Sequence, residues 1–406
     1  MGKASLILVM GFAVIFSIIR LGFNRANTDI AENFVYYFDK ESAHGVAVSA
    51  ANMALAKLAE TGGSWNAGYN NVDFTQNGKV KFAVNINRPY DVETGQQLTW
   101  VYCKGFYDTD TASVTVLLRD QPYSKYIMFN PLPGGFYATG DTIDGPGYMD
   151  NGQLWTRGRP VFKDRILLSQ APKVEAVPAG VVADFRGGWQ ILAPTQRVPN
   201  VGNASDLVSN AGYSCTKNLY LEFFVGADGK GMVKHKLEGE ATYATDTLSV
   251  FAPSGVIAVN GNKDVHVKGT VKGKISIYAT KDVWLDDDLV YAETDLTKSK
   301  DMLGVVAGGN INITDNAANN NNITVYGSLF AMSGNVQAEH YNTRPVSGTL
   351  HVIGGIIHEG FTATADAYNN ITHGFHSWYQ YDWRLLNQMP PHFPRTGRLD
   401  IISWLE

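Results

Sequence analysis

Three consecutive carboxylates, Asp286, Asp287 and Asp288, are the first group in this chain whose spacing could do chemistry. Paired carboxylates on a groove carry out acid–base work on glycosidic bonds or hold calcium. On a strand, Asp286 and Asp288 share one face and Asp287 takes the other, so at most two of them converge. No Arg, Lys or His signature accompanies them. A solvated, turn-capping acidic run is the plainer reading, with Asp286 and Asp288 as calcium candidates behind it. A second group is His373 and His376 with Trp378, Tyr379, Tyr381 and Trp383. Such rings serve a sugar-binding platform, or a cap that buries the last turn of an open β structure; the cap is the expected role. The two histidines lack a third ligand at zinc spacing. The two cysteines, Cys103 and Cys215, have no CxxC spacing, which argues against redox catalysis and a thiolate zinc site. In an oxidising compartment they are candidates for a disulfide, which would stabilise by about 4–5 kcal/mol through the long loop it closes. Two free thiols fit the sequence equally well. Gly308-Gly309 and Gly354-Gly355 read as turns, because no GK[ST] follows either pair. No catalytic residue, cofactor or resident metal is expected, and the chain reads as a non-enzyme.

These residues need elements to position them, and composition bounds what the elements are. With 45% hydrophobic and 17% charged residues among 406, the chain is globular and long enough for two or three packed units. The net charge of -5 is spread without a basic stripe, so nucleic acid is not an expected partner. From Val80 onward short alternating runs prevail. Val80, Phe82, Val84 and Ile86, then Leu98 to Tyr107 and Ser113 to Arg119, read as antiparallel strands separated by Asn77-Gly78 and Thr94-Gly95 turns. From Leu248, runs such as Val256-Ile257-Ala258-Val259, Val265-His266-Val267, Ile275-Ser276-Ile277-Tyr278 and Val283-Trp284-Leu285 start eight to ten residues apart. Their shortness and their Gly and Asn spacers predict a right-handed parallel β-helix, with a β-sandwich as the competitor.

The amino-terminal segment is of another kind. From Ala4 to Phe23 the only charge is Arg20, and about twenty helical residues reach about 30 Å, the thickness of a bilayer's hydrocarbon core. Arg20 lies near the end of the run and can snorkel to the headgroups. Beyond it, Ile30, Phe34 and Phe38, then Val46, Ala50, Met53, Ala54 and Leu58, keep helical spacing up to the stop at Gly62-Gly63; one continuous helix and a single-pass anchor ending near Arg25 with a separate surface helix after it fit this spacing equally well. The fold class is therefore α+β, mainly β. The expected order is a membrane or filament-core segment over 1–25, its amphipathic continuation over 26–63, and an antiparallel sheet head over 64–125. First β-rungs follow over 126–169, an insertion or connecting region over 170–247, and a β-helix-like domain with a carboxy-terminal aromatic cap over 248–406.

Gly2-Lys3-Ala4-Ser5-Leu6-Ile7-Leu8-Val9 and the later Ser42-Ala43-His44-Gly45-Val46-Ala47-Val48-Ser49-Ala50-Ala51-Asn52-Met53-Ala54-Leu55-Ala56 resemble the start of PilX-like minor pilins of type IV pilus systems. The resemblance implies prepilin-peptidase processing between Gly2 and Lys3, and packing of Leu6, Ile7, Val9, Phe12 and Phe16 in a filament core. It implies other pilin-like subunits as partners, the inner membrane as the precursor's location, and the cell surface or an extracellular filament as the destination. Counted from Lys3, the fifth position is Ile7, where major pilins carry a glutamate that pairs with a neighbour's amine. An aliphatic side chain cannot neutralise an ammonium in an apolar core, so a minor, tip or priming subunit is implied. Val265-His266-Val267-Lys268-Gly269-Thr270-Val271 and Tyr381-Asp382-Trp383-Arg384-Leu385-Leu386 are similar to a domain of unknown function attached to pilin-like exported proteins. The alternative is a membrane-anchored β-helix adhesin or carbohydrate-active enzyme whose partner is a surface polysaccharide.

Overall fold

The structure is a computed structural model, and it describes residues 2–75, 78–130, 135–149, 153–192, 204–358, 360, 363–367 and 370–406. The chain folds into two compact units: one from residues 1–89, 98–119 and 399–406, the other from 90–97 and 120–398. In chain order the second unit is inserted ahead of the first unit's last strand.

The first unit begins with one unbroken helix, Gly2–Glu60, about 90 Å long at 1.5 Å per residue. It ends in a Schellman motif: Gly62 takes φ 57°, its N–H donates to the Ala59 carbonyl, and the Gly63 N–H donates to the Leu58 carbonyl at 2.7 Å. Lys57 in the last turn complements the negative end of the helix dipole. A six-stranded sheet forms the head, in the order Tyr69–Asp73, Val80–Asn87, Gln96–Tyr107, Asp110–Pro122 and Arg395–Leu405, with the short strand Tyr90–Asp91 pairing with Gln96–Tyr107 off this path. The first three pairings are antiparallel, with Val84 opposite Cys103 and Cys103 opposite Val114. Period-two alternation sends Phe82, Val84, Ile86, Val101, Cys103, Val114, Val116 and Leu118 inward, onto Ala47, Ala50, Ala51, Ala54 and Leu58 of the helix. The strand Arg395–Leu405 belongs to this sheet, whereas the sequence reading placed it with the carboxy-terminal cap.

The second unit is mainly parallel. After Leu248 most strands pair in parallel with a strand one turn later, so three sets of pairings run side by side. One set joins Val256–Val259, Lys274–Ala279, Met302–Ala307 and the ends of Ile323–Ala331 and Val346–His358. A second joins Val265, Val283, Ile311 and Val336. The third joins Leu289, Val325, Val352 and Tyr379. Alternation points Val265 and Val267, Val283 and Leu285, and Ile311 and Ile313 into one continuous apolar core. An antiparallel ribbon, Leu219–Val225 with Gly231–Leu237 and Ala244–Thr247, lies against the first of these turns and covers its edge.

Spatial order departs from chain order here. Ile356 pairs with Met128 and Trp378 with Thr142, so the turns built from residues 128–191 stack beyond those built from 346–381. They continue through Val161–Phe162, Ile166–Leu168 and Trp189–Ile191. This corrects the expectation of a carboxy-terminal aromatic cap. The strand Ile371–Tyr381 is paired on both sides, by Val346–His358 and by Thr142–Asp144, and is an interior rung.

Candidate functional site

The helix presents a long unpartnered apolar surface. Every residue from Leu6 to Phe38 is exposed, and within the chain the helix becomes buried only from Ala43. It is the one helix among the described residues long and apolar enough to cross a membrane, with a mean hydropathy of 2.4 over its best window. Leu6, Ile7, Val9, Phe12 and Phe16 are all more than half exposed and touch nothing that would explain their apolarity. Gly2 is also exposed, and Lys3 lies in the first turn.

The far end of the helix is seated by small residues. Ala43, Ala47, Ala50, Ala51, Ala54 and Leu58 follow one helical face and are at most 1% exposed. Across from them, Gly105 lets the sheet come unusually near. A Cβ there would stand 2.9 Å from the Val46 carbonyl carbon and closer still to the Ala43 oxygen and Ala47 nitrogen, all of them helix backbone. Cys103 sits in this core as a free thiol, and burial pushes its pKa up to about 12. Cys215, in the second unit, is a half-buried free thiol donating to the Lys217 carbonyl. The two are therefore separate thiols here and not the disulfide that a secreted compartment allowed.

The acidic run does not make a site. Asp286 accepts from Thr314 Oγ1 at 2.7 Å and lies 3.1 Å from His266 Nδ1. Asp288 accepts the Thr324 backbone N–H at 2.7 Å, and Asp287 accepts from Asp288 N. The three residues bulge between Leu285 and Leu289, where the strand turns a corner. Each carboxylate is taken by a different neighbour, so Asp286 and Asp288 do not converge as calcium ligands. Among the described residues no group of three His, Cys, Asp or Glu could hold a metal ion.

The same corner chemistry recurs. Asn218 accepts from Asp264 N, Asp264 from Asp282 N, Asp282 from Asn310 N and Asn310 from Asn335 N, at 3.0, 3.2, 2.7 and 2.9 Å. Each side chain satisfies a backbone donor one rung further along, where the chain turns and the regular ladder stops. This explains why Asp or Asn precedes the apolar run in each turn. On the outer face Tyr220, His266 and Trp284 stack at 4.7 and 5.9 Å, and His351 stacks on Trp378 at 3.8 Å. Rings stacked this way cover one another's faces, the part a sugar would need. Tyr379 and Tyr381 point inward and are 1% exposed. His373 is bonded to the Arg344 carbonyl at 2.8 Å, and the segment reads as rung and ladder.

No family model matches the chain, and no curated protein matches it. Among solved structures, the competence-associated pilin ComZ from Thermus thermophilus is similar at a TM-score of 0.36 and 11% identity, over 90% of this chain and 97% of that one. At that score the likeness carries no argument, and the functional reading rests on the geometry above.

Sequence reasoning missed one enclosed site. A cavity of about 240 Å³ opens in the second unit beside Tyr137, Asp141, Trp155, Thr364, Phe375 and Ser377. Asp141 is 6% exposed; its two oxygens accept the Ser377 and Ala138 backbone N–H groups at 2.8 Å, and desolvation raises its pKa to about 7. No motif marks it, because its walls come from segments more than 200 residues apart.

Proposed function

We propose that this chain is a type IV pilin-like structural subunit, of the PilX-like minor kind. Its helix holds the precursor in the inner membrane and later packs among other pilin-like subunits in a surface filament. The single observation that supports this most is the helix: 59 residues without a break, apolar and unpartnered from Leu6 to Phe23, then bedded by an alanine face on an antiparallel sheet. An apolar surface of this size is stable only in lipid or against other apolar helices. In this reading Gly2 and Lys3 flank the processing site, and Leu6, Ile7, Val9, Phe12 and Phe16 are the residues neighbouring subunits cover. Ile7 at the fifth processed position favours an accessory place over repeated stacking in a shaft.

The same reading makes the inserted unit a right-handed parallel β-helix carried at the cell surface. Its three parallel pairing sets support the solenoid, and the near-universal hand of parallel crossovers supports right-handedness. The chain in this reading is not an enzyme, since Asp286 and Asp288 are held apart in corner bonds. Fractionation tests the proposal. The protein should appear among sheared surface filaments of the native cell and remain in the inner membrane when filament assembly is blocked. Equal recovery in the membrane under both conditions would overturn it.

A further inference from the structure

One side of the parallel stack is interrupted. Ala363 bridges to Gln337 on one side and Tyr137 bridges to Thr156 on the other, but among the described residues nothing pairs Ala363 with Tyr137. On the other two sides the ladder passes this level intact, through Ile356 with Met128 and Trp378 with Thr142. At the gap the chain turns back on itself: Ala365–Ala367 pairs antiparallel with Ile371–Tyr381. Among the described residues the pairing on this side stops between these two bridges, and the 240 Å³ cavity is lined by residues from both, Tyr137 and Ala363 among them.

Its lining is specific in kind. Phe136 and Trp155 both line it, and each has a cation on one ring face: Arg157 at 4.6 Å over Phe136 and Lys173 at 3.6 Å over Trp155. What each ring offers the cavity is therefore its other face or its edge. The floor is a hydroxyl cluster, with Thr364 Oγ1 3.2 Å from Ser377 Oγ, and Tyr379 Oη donating to Ser377 Oγ at 3.1 Å. Asp141 adds two oxygens that each accept only one backbone N–H. The described lining contains Asp141 and Asp366 but no Lys or Arg. The nearby cations, Arg157 and Lys173, are already paired with Glu175 at 2.7 and 3.3 Å. Aromatic side chains with a few placed hydroxyls and a carboxyl suit a ring with apolar C–H faces and hydroxyl edges, and a described lining with no free cation disfavours an anion.

We propose that this cavity is a binding pocket for one neutral pyranose ring of a surface glycan. The proposal rests on the second unit alone and is independent of how the helix is used. It is tested by saturation-transfer NMR on the full chain in a zwitterionic, sugar-free detergent, with glucose, galactose, mannose and N-acetylglucosamine as probes and glucuronate as the anionic control. Transfer to the ring protons of at least one neutral sugar, and none to glucuronate, is expected. Ala367→Phe, which fills the cavity from its rim, should abolish the signal. Thr364→Val keeps volume and removes one hydroxyl, and should weaken binding about fivefold. No transfer to any of the four neutral sugars overturns the proposal, as does preferential transfer to glucuronate. So does undiminished transfer in Thr364→Val, a variant that remains informative if Ala367→Phe fails to fold.

Discussion

Replacing Gly105 with alanine puts the seating of the helix to a quantitative test. The added Cβ would lie 2.9 Å from the Val46 carbonyl carbon and nearer to the Ala43 oxygen and Ala47 nitrogen. Carbon atoms settle at about 3.5–4.0 Å, so helix and sheet must part by about 1 Å. The obstruction is backbone on one side and a paired strand on the other, and neither can rotate away. A gap of that size forfeits about a quarter to a half of the dispersion across the face it opens. That face is the whole row from Ala43 to Leu58, each at most 1% exposed at its buried positions. Overpacking costs about 1–3 kcal/mol, and the upper end applies here because the row separates together. Native-state hydrogen exchange reads this locally. Amides of Val101, Val114 and Val116 should exchange about a hundredfold faster, since about 1.4 kcal/mol corresponds to each factor of ten. Lys104→Ala, at the exposed neighbouring position, should change stability by less than about 0.5 kcal/mol. Protection unchanged within threefold in Gly105→Ala would refute the close helix–sheet approach.

Asp282→Ala removes the acceptor for Asn310 N and should cost about 1–2 kcal/mol in chemical unfolding; Asp282→Asn, which keeps the oxygen, should recover most of it. Two buried groups in the second unit have opposite pH dependence. Burial raises Asp141 from 3.8 to about 7, so its folded form holds a proton the unfolded chain has lost, and stability falls as pH rises through that window. Burial lowers His358 from 6.5 to about 4, so stability is lost as pH falls from 6.5 towards 4. The two terms are about 4 and about 3 kcal/mol at most and overlap. Urea unfolding at pH 4, 5.5 and 7 should therefore show stability rising with pH in Asp141→Asn and falling with pH in His358→Gln; slopes equal to the parent's in both would contradict the burial of these groups. A maleimide applied to the native chain should add once, at Cys215, because Cys103 is 1% exposed with its thiol pKa pushed up to about 12; intact mass showing two adducts, or none, would contradict this.

The sequence showed what local pattern can carry. Alanines at three-and-four spacing and a glycine pair marked the end of the helix, while spacing alone left open whether it ran unbroken past Arg25, as it does. Alternation in Val265-His266-Val267 and its later counterparts separated inward from outward residues before any partner was known. What it could not carry is which segments meet. Nothing near Arg395–Leu405 signals that its sheet lies with residues 69–122, because an edge strand alternates in the same way whatever it pairs with. Nor does the pattern of Met128–Asn130 announce that it stacks on residues 356 and 357. The aromatic run around Trp378 read as a cap for this reason: an interior rung and a terminal one bury the same rings, and only pairing on both edges distinguishes them. The Asp286–Asp288 run left two roles open, since corner bonds and metal ligation call for the same side chain; the corner bonds match the turn-capping reading, which was the plainer one. The cavity leaves no motif in the sequence, because its lining is brought together from segments far apart in the chain.

The central claim is that the apolar helix belongs to a processed, assembling subunit. The most direct measurement is the amino-terminal mass of the protein recovered from native envelopes, with and without prepilin peptidase. The account predicts a chain beginning at Lys3 when the peptidase is present and a chain retaining Gly2 when it is absent. A chain that retains Gly2 in both would contradict it and leave the helix a fixed membrane anchor.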